Sequence, residues 1–164
     1  MLERDHVLID SWMALTCTAA RHELSRAIRA LPENAPLGTV VKLPAVGWCL
    51  AGPSLVVREG EDSSLLMTMR HVWRWSRSWT VRDADDRLIG RVHPRVLQNA
   101  RGQLVARLEA LRLPGHSRLV GIDDRELAHI EVRSDGSRTL LIAAAQDNNP
   151  FTRMLLLGAA LVLP

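Results

Sequence analysis

The chain has 164 residues, which suits one domain and leaves a second one cramped. Hydrophobic residues make up 47% and charged residues 24%, ordinary globular values that exclude a wholly disordered chain. The net charge of +3 is mild but uneven: from Arg70 to Arg118 eleven arginines face four acids, a balance of +7 that leaves −4 elsewhere, so one part of the molecule is basic.

The basic residues are twenty arginines and one lysine, Lys42, a skew that reads as GC-rich bacterial codon usage rather than a binding role. Cys17 and Cys49 lie far apart with no CxxC, which fits two thiols in a reducing cytoplasm and suggests neither zinc nor a disulfide framework. The opening "MLERDHVLID" has acids where a secretion signal needs a basic flank, so a cytoplasmic location is expected.

In chain order, the first predicted element is an amphipathic helix. Asp10 or Ser11 can cap it, and Trp12, Leu15, Ala19, Leu24, Ala27, Ile28 and Leu31 recur at helical spacing until Pro32. Arg21, Arg26 and Arg29 then form its basic outer side. With Trp12 they are the candidate residues for docking a partner protein. "LPENAPLG", Leu31 to Gly38, reads as a linker, so residues 1–36 are expected to stand apart from a second unit at 37–164.

From Thr39 to Ala145 the texture changes to short apolar segments separated by turn chemistry. "TVVKL", "GWCL", "SLVVR", "SLLMTMR", "SWTVR", "RLIGRVH", "QLVARLEAL", "SRLVGI", "ELAHIEVR" and "RTLLIAAA" are the predicted strands. "DADD", "NARG", "IDDR" and "RSDGS" supply Asp, Asn, Gly and Ser for tight turns. "DADDRLIGRV" echoes "NARGQLVARL" and, more loosely, "IDDRELAHIE", each a polar turn followed by an outgoing strand. The unequal spacings mark successive antiparallel hairpins and not a solenoid or propeller.

The chain closes with "NPFTRMLLLGAALVLP". Pro150 suits a first helical position, and the run from Phe151 to Leu163 is apolar on every side. A bilayer-spanning helix needs about 20 apolar residues, more than are present. Such a helix must be enclosed. Ten to twelve short antiparallel strands curled into a closed β-barrel would enclose it and leave no sheet edge. The predicted fold is therefore mainly β, a closed barrel around a buried C-terminal helix, preceded by the N-terminal helix.

In "SWTVRDADDRLIGRV" and in the closing "NPFTRMLLLGAALVLP", over roughly residues 37–164, the chain resembles the tubby C-terminal, phospholipid scramblase and LURP-one-related superfamily. The resemblance implies a barrel of about a dozen strands wrapped around a hydrophobic C-terminal helix. Neither the paired Lys and Arg phosphoinositide motif of tubby proteins nor the acidic calcium-like segment of scramblases has a match, so neither specificity is implied.

"RHVWRWSRSW", Arg70 to Trp79, is the most unusual stretch. If extended, it places Trp73, Trp75 and Trp79 on one face and Arg70 and Arg74 on the other. Such a pairing suits a membrane interface or single-stranded nucleic acid, and it equally suits tryptophans filling a barrel wall. Alternation also predicts that Arg87 and Arg91 lie together and that Arg101 joins them from the next hairpin, as a face that attracts phosphates. Arg70, Arg74, Arg77, Arg87, Arg91, Arg101, Trp73 and Trp75 are thus the candidate anion or lipid site. The expected partner is an anionic lipid or membrane surface rather than nucleic acid. No cofactor is expected. The six histidines are scattered without HExxH, and GxSxG, phosphate-loop and dinucleotide patterns are missing, so a metal site and an enzyme are not expected. The competing function is an adaptor that docks a partner protein through the N-terminal helix.

Overall fold

A computed structural model describes residues 6–9, 13–15, 23–30, 35–43, 54–60, 62–71, 76–143 and 149–163. These form thirteen strands and one helix. The strands are β1 (His6–Ile9), β2 (Met13–Leu15), β3 (Glu23–Ala30), β4 (Ala35–Leu43), β5 (Ser54–Glu59), β6 (Ser64–His71) and β7 (Trp79–Asp83), followed by β8 (Leu88–Val92), β9 (Val96–Asn99), β10 (Leu104–Ala110), β11 (His116–Gly121), β12 (Glu126–Val132) and β13 (Arg138–Ile142). Helix α1 (Pro150–Val162) ends the chain. From β2 to β13 each strand pairs antiparallel with the next, and β1 pairs both with β13, through Val7↔Leu140, and with β3, through Val7↔Ala30. The molecule is mainly β, one antiparallel sheet plus a C-terminal helix.

The hairpins follow from local turn chemistry. Asp83, Asn99, Gly121 and Arg133 each donate a backbone N–H to the carbonyl four residues on, and each accepts from the N–H three residues on. That third residue has a positive φ in every case: Asp86 at 62°, Gly102 at 77°, Asp124 at 60° and Gly136 at 81°. A tight turn followed by one left-handed residue is a common way to join antiparallel strands. The sequence echo of "DADD", "NARG" and "IDDR" is therefore one turn used repeatedly. The predicted strands from "TVVKL" to "RTLLIAAA" are present, apart from "GWCL", which lies outside the described residues. Val96–Asn99 went unpredicted because four residues between two turns give too short an alternation to read.

Where the predicted N-terminal helix is described, at Met13–Leu15 and Glu23–Ala30, it is strand. Its best-described part, β3, pairs with β4 from Leu24↔Lys42 to Ala30↔Ala35. Arg26 and Ile28 are buried at 7% and 0% exposure, whereas Ala27 and Arg29 are half-buried, a period of two. An arginine at an inward position hid that alternation and favoured a helical reading. The expected linker is likewise half strand. β4 begins at Ala35, and Pro36 is accommodated at the register shift opposite Ile28 and Arg29, since proline disturbs a ladder least at a bulge. The first strands thus belong to the same sheet as the rest, and the boundary at 36/37 falls inside β4.

One hydrophobic core joins α1 to the strands. Leu55 and Val57 of β5, Met67 and Met69 of β6, Val81 of β7, Leu97 of β9, Leu119 of β11, Ile130 of β12 and Leu140 of β13 are buried with α1 residues from Met154 to Leu161. No face of α1 after Arg153 is open apart from the half-buried Val162. Two glycines set how closely the layers approach. A Cβ at Gly158 would lie 3.2 Å from Met69 Cε, so the helix backbone rests on the wall. A Cβ at Gly90 would lie 2.1 Å from the carbonyl oxygen of Gln98, which leaves only glycine at that position of β8. Among the described residues no helix is long and apolar enough to cross a membrane.

Candidate functional site

The antiparallel order brings the β7–β8 turn, the β9–β10 turn and the start of α1 to the same end of the sheet. Each turn is stiffened by a side chain. Asp83 Oδ1 accepts from the backbone N–H of Asp85 at 3.0 Å and of Arg87 at 2.8 Å. Asn99 Oδ1 accepts from Arg101 and Gln103 N–H at 3.0 Å each, while Asn99 Nδ2 donates to Gln103 Oε1 at 2.8 Å. These two turns hold Arg87 and Arg101. Opposite them, Asn149 caps α1 by accepting from Phe151 N–H at 3.0 Å, and Pro150 takes the first helical position.

Between the three elements lies a half-open cleft of about 560 Å³. Arg87, Arg101 and Asn99 line it on the turn side, Phe151 and Thr152 on the helix side, and Leu88, Ile89, Val105 and Leu155 are its apolar part. The first turn of α1 contains no acid, so nothing in it offsets the partial positive charge of the helix N-terminus beside the cleft. Asp83 also lines it, its carboxylate oxygen already engaged by two backbone donors. Arg87 is paired loosely with Asp85, at 3.7 Å and largely exposed. Arg101 is exposed and makes no ion pair among the described residues. The arrangement offers two guanidinium groups and a helix N-terminus to an anion, beside apolar surface.

The other sequence candidates do not join this site. Arg91 parts from Arg87: it lies exposed on the outer face, opposite Thr80, and Arg70 is exposed on the other side of the same threonine. The single extended segment expected at Arg70 to Trp79 instead reverses direction. His71 ends β6 and pairs with Trp79 at the start of β7, their rings 3.8 Å apart. Arg74, Trp73 and Trp75 lie outside the described residues. Arg77 is exposed and lines a smaller cleft of about 380 Å³ with His71, Trp79, Pro94, Val162 and Leu163, at the opposite end of α1. Thr80 Oγ1 donates to the Arg70 carbonyl at 3.1 Å.

Of the candidates for partner docking, Trp12 and Arg21 lie outside the described residues. Arg26 points inward and not to an outer helix face. Burial, and after it the positive charge of Arg138, pushes its pKa down to about 10. Arg29 is half-buried in β3.

Sequence reasoning missed the helix side of the cleft, Phe151 and Thr152, because the closing segment was read only for its burial. Phe151 is 51% exposed at its edge. Two histidine contacts were also invisible. His116 Nδ1 and His129 Nε2 are 3.1 Å apart across β11 and β12, and His93 bridges Ser78 and Gln98. Among the described residues no three His, Cys, Asp or Glu side chains gather in a way that would hold a metal ion.

No family model and no curated protein sequence matches the chain. One solved structure does: the X-ray structure of protein AT5G01750 from Arabidopsis thaliana is similar with a TM-score of 0.52 and 16% identity, over 85% of this chain and 81% of that one. At that identity the likeness is one of fold.

Proposed function

We propose that the protein is a non-catalytic binding module that holds the phosphate headgroup of an anionic lipid and works as a peripheral protein at the cytoplasmic side of a membrane. The observation that carries this reading is the convergence of Arg87 and Arg101 with an acid-free helix N-terminus on one cleft. A helix N-terminus attracts phosphate through its N–H groups and dipole, and arginine matches phosphate oxygens with a planar fork of donors.

The same proposal takes the sheet as a closed barrel. β1 pairs on both sides, with β13 and with β3, which would complete a ring of twelve strands, with β2 pairing outside it on β3. A ring of this kind around a buried C-terminal helix is what the resemblance to the tubby, scramblase and LURP-one-related superfamily implies. The described residues of the segment assigned to a docking helix, Met13–Leu15 and Glu23–Ala30, run as strands, which favours the headgroup reading over the adaptor one.

Vesicle co-sedimentation tests the function. Wild-type protein is expected to pellet with phosphatidic acid vesicles at low salt and to be released at high salt, where screening shortens the reach of the arginines. The double variant R87E/R101E is expected to stay in solution at every salt concentration. Wild-type protein that ignores these vesicles at low salt would end the lipid reading.

A further inference from the structure

We infer that the ligand of this cleft is a single-chain anionic amphiphile, a phosphate monoester whose head meets Arg101 and Arg87 while its hydrocarbon chain lies along Phe151, Val105 and Leu155. The inference rests on the headgroup reading and adds the tail to it.

The cleft is built for two kinds of chemistry. A site for a bare anion needs donors only, yet this one continues from its arginines onto apolar surface. Phe151 is the main signal. It is 51% exposed in the first turn of a helix whose later residues are nearly all buried, and its ring stands at the mouth of the cleft. A large apolar side chain left exposed beside a cationic rim marks a place where an apolar group is bound.

The polar end has its own signal. Thr152 and Asn99 line the cleft with Arg87 and Arg101, so polar groups gather at one part of it. Asp85 partly offsets Arg87, which leaves Arg101 as the principal cation. A volume of about 560 Å³ falls in the range that houses small molecules, roughly 300–1,000 Å³.

Calorimetric titration of the whole protein with inorganic phosphate, butyl phosphate and decyl phosphate, below the micellar concentration, tests the idea. Decyl maltoside serves as the neutral control. Each fully buried methylene contributes about fourfold in affinity, so even a half-sheltered chain is expected to make decyl phosphate at least tenfold tighter than butyl phosphate. F151S and V105T are expected to erase that chain-length gain. R101Q is expected to weaken all three phosphates about fivefold or more. Thermal melts establish that each variant is folded. Equal affinities for butyl and decyl phosphate would overturn the tail and spare the headgroup reading, as would a gain that survives F151S and V105T. No binding of any phosphate would overturn both. Competition with phosphatidic acid vesicles distinguishes the source: displacement of decyl phosphate identifies a bilayer lipid, and independent binding identifies a free amphiphile.

Discussion

Arg138 of β13 donates through Nη1 to the carbonyl of Ala160 at 2.8 Å and also to that of Leu163, so a side chain from the sheet closes the last turn of α1. A cation there is well matched to the partial negative charge of a helix C-terminus, and it satisfies carbonyls that would otherwise be orphaned away from water. The same burial lowers the Arg138 pKa and leaves its Nε without a partner.

The opposing effects can be ranked. Hydrogen bonds to a charged group are worth about 1.5–3 kcal/mol each, and carbonyls stripped of their donor cost about 1–3 kcal/mol. Removing a buried charge returns part of that. Arg138→Met is therefore expected to destabilise the fold by about 2 kcal/mol, read as a fall of roughly 4–8 °C in melting temperature. Phosphate binding at the other end of α1 should not change. A variant as stable as wild type would show that the cap is offset by the cost of burying the guanidinium.

Two glycines separate steric from conformational cost. Gly102 has φ +77° and open space around its missing Cβ, so Gly102→Ala is expected to cost only about 1–2 kcal/mol, the price of a left-handed alanine. Gly90→Ala meets the Gln98 carbonyl oxygen at 2.1 Å, a backbone atom that cannot swing away. Parting β8 from β9 is expected to cost at least about 3 kcal/mol. Urea melts of the two variants check the order.

Depth along α1 gives a second contrast. Leu157 has 0% exposure, and Leu157→Ala is expected to cost about 2–5 kcal/mol through the cavity it leaves. Phe151→Ala, at 51% exposure, is expected to cost well under half as much. Similar losses from both would mean that the cleft-side turn of the helix is as firmly packed as its middle.

Acid stability is expected to depend on Glu109. Hydrogen bonds from Arg107 and then Arg118 hold its carboxyl below the ordinary value. A depressed carboxylate stabilises the fold above its unfolded pKa, and that contribution is lost as pH falls through the folded one. Glu109→Gln should therefore lower the melting temperature at neutral and alkaline pH and flatten its fall below about pH 4.5, so that variant and wild type converge in acid. A fall as steep in the variant as in wild type would remove Glu109 from the account.

Much of the fold was legible because its causes are local. "DADD", "NARG", "IDDR" and "RSDGS" each carry the residues that one tight turn demands, and the segments between them alternate as strands do. Asn149 and Pro150 announced the helix start, and the apolar run that follows had to be buried because no side of it suits water.

What depended on distant partners was not legible. Glu23–Ala30 fits a helix by its own spacing and becomes a strand because β4 on one side and β1 on the other supply its hydrogen bonds, with Arg26 turned into the interior. The Trp and Arg stretch after Arg70 looked like one extended face until His71 paired back with Trp79. Arg87, in the turn before β8, and Arg91, on β8, part company, whereas Arg87 and Arg101, fourteen positions apart, line one cleft with the start of α1. Alone, the sequence determined turns, strands and the burial of the closing helix, since those follow from dihedral preference and hydrophobicity residue by residue. Which side chains share a cleft was decided only by the tertiary structure, because strand register and the seat of the helix belong to pairings between segments that no single segment encodes.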